Sequence, residues 1–359
     1  SPQALLAHCR GLLDQFVDLE LPCERQQRQL DQLEQLGERP DRHVVLAGAS
    51  ELELVELLKR KLPTSAPLQL HLAKTLPLAP ERWAWPEELL RADLVIYALA
   101  AAPSAADLRW LEAAPLELPL LVLGPAEGSA EQVAAWSAQL GARFQLWQRD
   151  EALPITLPSL ARQRQQTQLR CLRQLHGQWQ LQLEAERRQR LQPLVVRSQW
   201  IVAAAVFASP LPSADLLLSA VINGLLLKEM AQLWRCQWTS EQLQAAALEL
   251  GRCALSLGAL EWGSQALAGL LKLHGATWLV GGALQALAAA YFTRVLARAM
   301  ADYLALAAGV PDSELAQLKA RLPVIVAEAA EQERLDWDGF ADQAASWLKQ
   351  HSSMSLNIS

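Results

Sequence analysis

The residues that could do chemistry gather at one junction. His43-Val44-Val45-Leu46-Ala47 is a short apolar run that ends at Gly48, and a helical stretch from Glu51 to Lys61 follows it. A strand that runs into a glycine and then a helix is the setting of a phosphate-binding loop. The working loop reads Gly, four residues, Gly, Lys, then Ser or Thr. Its glycines let backbone N–H groups surround phosphates, its lysine brings positive charge and its hydroxyl binds Mg²⁺. Here the first glycine is Gly48, and the last three positions hold Glu53, Leu54 and Val55. A carboxylate stands where the second glycine belongs, and apolar side chains replace the lysine and the hydroxyl. Glu51 and Glu53 suit the helix dipole but repel an anion at the helix N-terminus. Gly48, Glu53, Leu54 and Val55 therefore read as the vestige of a phosphate loop.

Two further motifs are vacant. A guanine-recognising Asn-Lys-x-Asp belongs after the apolar run Leu120–Leu123, and the chain reads Gly124-Pro125-Ala126-Glu127. Glu127 imitates the acid, but the Asn and Lys are missing, so Gly124 and Glu127 form a second vestige. The Asp-x-x-Gly that binds Mg²⁺ and senses the terminal phosphate belongs before Asp93. The stretch Pro80-Glu81-Arg82-Trp83-Ala84-Trp85-Pro86 does not contain it. One competing reading is an α/β domain that never bound a nucleotide. Another is a nucleotide-responsive switch in which Arg42, Lys59 or Lys61 replaces the lost lysine. An enzyme of another kind finds no nucleophile elbow and no His/Asp/Ser grouping, and the chain has only 6 His to draw on. Cys9, Cys23, Cys171, Cys236 and Cys253 are scattered without metal-ligand spacing. They read as reduced thiols of a reducing compartment. No catalytic residue, metal or cofactor is expected.

The elements that would position these residues follow from periodicity. Residues 4–36 read as one or two helices, broken at Pro22 and closed by Gly37 and Pro40. Residues 41–152 alternate strands and helices. Leu68–Leu72, Asp93–Leu99, Leu118–Leu123 and Phe144–Trp147 join the run before Gly48 as strands. Ala105–Ala113 and Glu131–Leu140 read as helices between them. That alternation argues for a small parallel α/β domain. Residues 153–195 form an amphipathic connecting helix, with Leu169, Leu172, His176, Trp179 and Leu183 at spacings of three and four. It pairs plausibly with the N-terminal helices. Residues 196–310 are an apolar helical module, and 311–359 return to amphipathic helix with Trp337 and Trp347 as anchors.

Composition narrows the partners. Hydrophobic residues make up 52% and charged residues 19% of the 359, against about 25% charged in an ordinary soluble domain. Net charge is −6, which argues against nucleic acid as the main partner, because neutralising phosphates needs a basic face. The densest basic run, Arg187-Arg188-Gln189-Arg190, reads as a solvated helix face, with a lipid-attracted cluster as the alternative. No signal peptide is expected from the first residues. The 13 Trp against 3 Tyr and 5 Phe fit interfaces and membrane edges. Between Arg197 and Lys228 the only charged side chain is Asp215. From Leu273 to Thr293 there is none, a length that reaches across a bilayer.

The run Gln199-Trp200-Ile201-Val202-Ala203-Ala204-Ala205, then Ser209-Pro210-Leu211-Pro212-Ser213-Ala214-Asp215, carries a helix–Pro-x-Pro-x-x-Asp–helix pattern. It resembles the signature of the YcjF-like family, membrane-associated proteins of unknown function. A second signature is similar to Leu271-Lys272-Leu273-His274-Gly275 through Gly281-Gly282 to Thr293-Arg294. In cyanobacteria and other bacteria such a module often follows an Era-like GTPase domain. The resemblance implies a helical, membrane-associated module behind a G domain; with the vacant motifs, the expected fold is a degenerate G-domain-like parallel sheet (α/β) followed by an all-α helical bundle. Pro210 and Pro212 would end one apolar helix and set the angle of the next. Asp215 would be a helix cap rather than a buried functional carboxylate. Lys272 would be a snorkelling or capping cation rather than a partner of Asp215. Gly281 and Gly282 would allow close helix approach. The expected function is a non-catalytic pseudo-GTPase adaptor on the cytoplasmic side of a membrane, or in the cytoplasm. Its partners would be membrane lipid, a membrane protein complex or another protein, with nucleotide and nucleic acid not expected.

Overall fold

The structure is a computed structural model. It describes residues 1–49, 52–62, 67–73, 76–155, 157–208, 224–236, 238–258, 265, 267, 280–307 and 315–355. The chain divides into two compact units, Ser1–Leu183 and Glu184–Ser359. The first is α/β and the second all-α.

In the first unit, α1 (Pro2–Asp18) and α2 (Glu24–Leu36) precede a five-stranded sheet. Its strands are β1 (Arg42–Gly48), β2 (Leu68–Leu72), β3 (Leu94–Ala98), β4 (Leu120–Leu123) and β5 (Leu146–Trp147). All pair in parallel in the order β2-β1-β3-β4-β5, with Val44 beside Leu70 on one side and Leu94 on the other. Four helices lie between the strands: α3 (Leu52–Lys61), α4 (Glu87–Leu90), α5 (Ala105–Glu112) and α6 (Ala130–Leu140).

Successive strand residues point to opposite faces. Val44, Leu46, Leu94, Ile96, Leu121 and Leu123 therefore meet Leu54 and Leu58 of α3, and Trp147. Val45, Ala47, Val95, Tyr97 and Val122 meet Leu89 and Leu90 of α4, Trp110 and Leu111 of α5, and Leu140 of α6. Burial on both faces is why these strands read as unbroken apolar runs. Ser104 and Ser129 start α5 and α6 with reciprocal capping boxes to Asp107 and Gln132.

The helix α7 (Leu160–Ala208) begins in this unit. Its residues Leu172, Leu175, Trp179 and Leu183 pack against Cys9, Leu12 and Phe16 of α1 and Leu30 and Leu33 of α2. The pairing expected from the stripe is thus realised, with Phe16 edge-on to Trp179 at 6.0 Å. The helix also runs further than the 153–195 connecting segment. It passes through Pro193 and ends at Ala208. The composition changes at 195, but the helix does not, because Leu191, Leu194 and Val195 keep packing into one core.

In the second unit, the rest of α7 joins six helices. These are α8 (residues 224–233), α9 (Ser240–Ser256), α10 (Val280–Ala307), α11 (Leu315–Ala320), α12 (Leu322–Leu335) and α13 (Trp337–Ser355). One core gathers Met230, Leu250, Met300, Tyr303 and Val326. A second joins Ala203, Leu287, Tyr291, Phe340 and Trp347. Trp200 stacks on Phe340 at 6.0 Å and on Trp347 at 5.9 Å, and Phe207 stands edge-on to Trp347 at 5.6 Å. The C-terminal tryptophans thus lie against the apolar end of α7. Among the described residues, α7 is the helix long and apolar enough to cross a membrane, by length and composition. The hairpin expected around Pro210 lies outside the described residues, as does the first part of the span expected over 273–293.

A polar node joins the helices of the first unit to its sheet. The Asp93 side chain is fully buried just before β3. It accepts from the Arg39 guanidinium, from Thr167 Oγ1 at 2.8 Å and from the His43 backbone N–H at 3.0 Å. Arg170 of α7 donates to the carbonyls of Leu90 at 3.0 Å and Ala92 at 2.7 Å, and burial pushes its pKa down. Removing one partner of a buried pair strands the other charge, at roughly 3–5 kcal/mol. Asp93→Ala should therefore cost about that much in urea unfolding, whereas Thr167→Val, which removes one neutral donor, should cost about 1 kcal/mol. Equal and small losses would show that Asp93 does not hold the node.

Candidate functional site

In this strand order the chain leaves β1 towards one edge of the sheet and β3 towards the other. The crevice between the carboxyl ends of those two strands is where doubly wound sheets bind ligands. Here it is closed by backbone. Gly48 has φ 81°, and a Cβ there would lie 2.4 Å from the Ala98 carbonyl oxygen. The Ala49 N–H donates to that same oxygen at 2.9 Å. The ladder extends one residue past the neighbouring strands too. Leu99 N–H reaches Leu123 O at 2.9 Å, and Gly124 N–H reaches Trp147 O at 2.8 Å. These N–H groups point at carbonyls rather than at a phosphate.

The described residues of the two sequence motifs fall around this edge. Among the described residues α3 runs from Leu52, so the position of the second glycine, Glu53, is helical. Glu53 is exposed in the first helical turn. Leu54, in the place of the lysine, is 1% exposed and packs inward with Val44 and Leu46, and Val55 is half-buried in the same cluster. A Cβ on Gly124 would meet the Gln148 amide at 2.7 Å. Glu127 is exposed and has no polar partner among the described residues.

The exit from β3 reads Leu99-Ala100-Ala101-Ala102-Pro103, with no polar side chain. Ser104, next in line, is spent on the α5 cap, its Oγ 2.6 Å from Asp107. Asp107 also accepts from the Tyr97 phenol at 2.8 Å. Burial and this bond push the Tyr97 pKa up.

The three cations that could have replaced the lysine are engaged elsewhere. Lys59 pairs with Glu56 at 2.9 Å, and Lys61 donates to the carbonyls of Asp150 at 3.3 Å and Glu151 at 2.8 Å. Both lie in the last turn of α3, about 10 Å along the axis from its start. Arg42 begins β1, at the opposite end of the strand from Gly48, and donates to Pro158 O at 2.9 Å.

Of the helical signature, Pro210, Pro212, Asp215, Lys272 and Gly275 lie outside the described residues, and Gly281 lies in α10. Thr293 is buried and donates back to Ala289 O at 2.9 Å, a local helix bond. Among the described residues, a Cβ on Gly282 would meet Phe207 Cδ2 at 3.9 Å, an ordinary contact distance. The basic run also differs from a solvated face. Arg187 is buried and donates to Leu233 O at 3.0 Å at the end of α8, and burial lowers its pKa. Arg188 pairs with Glu184 at 2.7 Å and Asp302 at 2.6 Å, and Arg190 pairs with Glu186 at 2.8 Å. Arg187 and Arg188 thus tie α7 to α8 and α10, and Arg190 pairs within α7.

One cluster escaped the sequence reading. A cavity of about 730 Å³ in the second unit is lined from α7, α10, α12 and α13. At its wall the buried Glu333 accepts from Arg294 Nε at 2.7 Å and Arg298 Nε at 2.6 Å, and Arg298 Nη2 reaches Asp336 at 2.6 Å. The available signal was Arg294 and Arg298 four residues apart, hence on one helix face, in a helix whose other charged residue is Asp302.

A family model described as a domain of unknown function, DUF697, matches residues 170–331. That stretch runs from within α7 into α12 and includes Arg188, Arg294 and Arg298. No curated protein matches the chain, and no solved structure does.

Gly48→Ala tests the closed edge. It forces a side chain into left-handed backbone and into the Ala98 carbonyl, so a loss of about 1–3 kcal/mol is expected in chemical denaturation. Gly141→Ala is the control: it shares a positive φ of 73°, but its Cβ would meet nothing within 4 Å. Equal losses in the two variants would show that the approach to Ala98 contributes nothing beyond backbone strain.

Proposed function

We propose that this chain is a non-catalytic adaptor. Its α/β unit is read as an Era-like GTPase domain that has lost nucleotide, and its helical module as the part that attaches it to a membrane or a protein complex. The observation that carries this reading is the position of Leu54, buried in the core where a phosphate-binding lysine would have to reach outward. The zipped carboxyl ends of β1 and β3 support it, since the crevice offers hydrogen-bonded backbone in place of free donors. The nucleotide-switch alternative needs a cation near Gly48, and Arg42, Lys59 and Lys61 are each committed elsewhere.

A second reading of the helical module has its own support. Trp200, Phe207, Phe340 and Trp347 pack into one aromatic cluster that covers part of the apolar end of α7. On that reading the module is a soluble bundle that binds another protein.

A ligand present at about 100 times its Kd adds about 2.7 kcal/mol of stability. Millimolar GTP or ATP with Mg²⁺ is expected to leave the unfolding midpoint where it is, and a nucleotide-dependent rise would contradict the adaptor reading. Washing the membranes of expressing cells with carbonate separates the two readings of the module. Retention supports membrane attachment, and release supports the soluble bundle.

A further inference from the structure

The charged cavity of the second unit holds hydrogen-bonding capacity that the protein itself does not use. Arg294 spends Nε on Glu333, and its guanidinium lies over the Phe340 ring at 5.4 Å. Arg298 spends Nε on Glu333 and Nη2 on Asp336. Arg188 spends Nε on Glu184 and Nη2 on Asp302. The remaining amino groups, both of Arg294 and one each of Arg298 and Arg188, meet no acceptor among the described residues. Glu333 has both oxygens occupied and its side chain is 5% exposed, so it cannot supply one. Asp336 and Asp338 sit exposed at the rim. An acceptor that enters the cavity therefore finds donors and no competing interior carboxylate oxygen.

Gln199 is fully buried in the cavity wall, its Nε2 donating to Gln343 Oε1 at 2.9 Å. Leu191, Val195 and Val196 complete the wall with apolar surface. The volume falls within the roughly 300–1,000 Å³ of small-molecule sites.

We propose that this cavity binds a small phosphate ester, its phosphate oxygens on the unused edge of Arg294. Planar guanidinium edges suit phosphate oxygens. The lining carries three cationic and three acidic side chains, so an ester of low charge fits better than a polyphosphate. Glycerol phosphate has this chemistry, free or as the headgroup of a glycerol-bearing phospholipid. The proposal does not depend on the adaptor reading.

The test uses the full chain and two probes. One is glycerol 3-phosphate, followed by titration calorimetry. The other is sedimentation with phosphatidylcholine vesicles made with and without phosphatidylglycerol. Val196→Trp puts a bulky ring into the cavity and leaves the residues of every ion pair unchanged. Arg294→Gln removes the free edge, with helical circular dichroism as the check on folding. Saturable binding of at least one probe is expected, abolished by Val196→Trp and weakened about tenfold or more by Arg294→Gln. Response to glycerol 3-phosphate assigns the free ester, and response to phosphatidylglycerol vesicles alone assigns the lipid. Binding of neither probe, or binding that a folded Val196→Trp keeps unchanged, would overturn the site.

Discussion

Gly48 has no side chain, and the backbone of Ala98 occupies the space one would need. This close approach lets β1 and β3 stay hydrogen-bonded one residue past their ends, where a ligand-binding sheet of this winding opens. In α3, Leu54 drops into the core beside Val44 and Leu46. A residue committed to that core cannot also carry charge to a phosphate.

The opposite end of the same sheet shows what the domain keeps. Asp93, buried before β3, joins Arg39, Thr167 and the start of β1, and Arg170 reaches the carbonyls before β3. At this end the buried charge of Asp93 lies where helices meet the sheet. Arg187 and Arg188 in the helical unit serve the same structural purpose, one on the last carbonyls of α8 and one on Glu184 and Asp302. The Arg294–Glu333–Arg298 group differs, because its guanidinium donors outnumber the acceptors that hold them. A buried ion-pair group with spare donors is weak evidence for stability and stronger evidence for a ligand.

Much of the α/β unit was legible because its signals are local. Apolar strands such as Leu94–Ala98 and Leu120–Leu123 stand between turn residues, and Ser104 and Ser129 mark helix starts. The stripe Leu172, Trp179, Leu183 also pointed to its partner helices. What stayed hidden depends on contacts distant in sequence. Asp93 looked like the edge of a strand, and nothing nearby announced Arg39 or Thr167 as its partners. The basic run at 187–190 looked solvated because its carboxylate and carbonyl partners, Asp302 and Leu233 among them, lie on other helices. The end of the connecting helix was misplaced for a different reason. A change from Gln and Arg to Ala and Val alters what a helix faces, and leaves its backbone free to continue to Ala208.

Native-state hydrogen exchange at the Ala49 and Leu99 amides tests the closed edge most directly, since each N–H is paired only if the strands are zipped beyond their ends. Protection comparable to the central amides of β1 and β3, unchanged by GTP with Mg²⁺, is the predicted result. Fast exchange at Ala49 that slows when nucleotide is added would mean the crevice opens and binds, and would contradict the account.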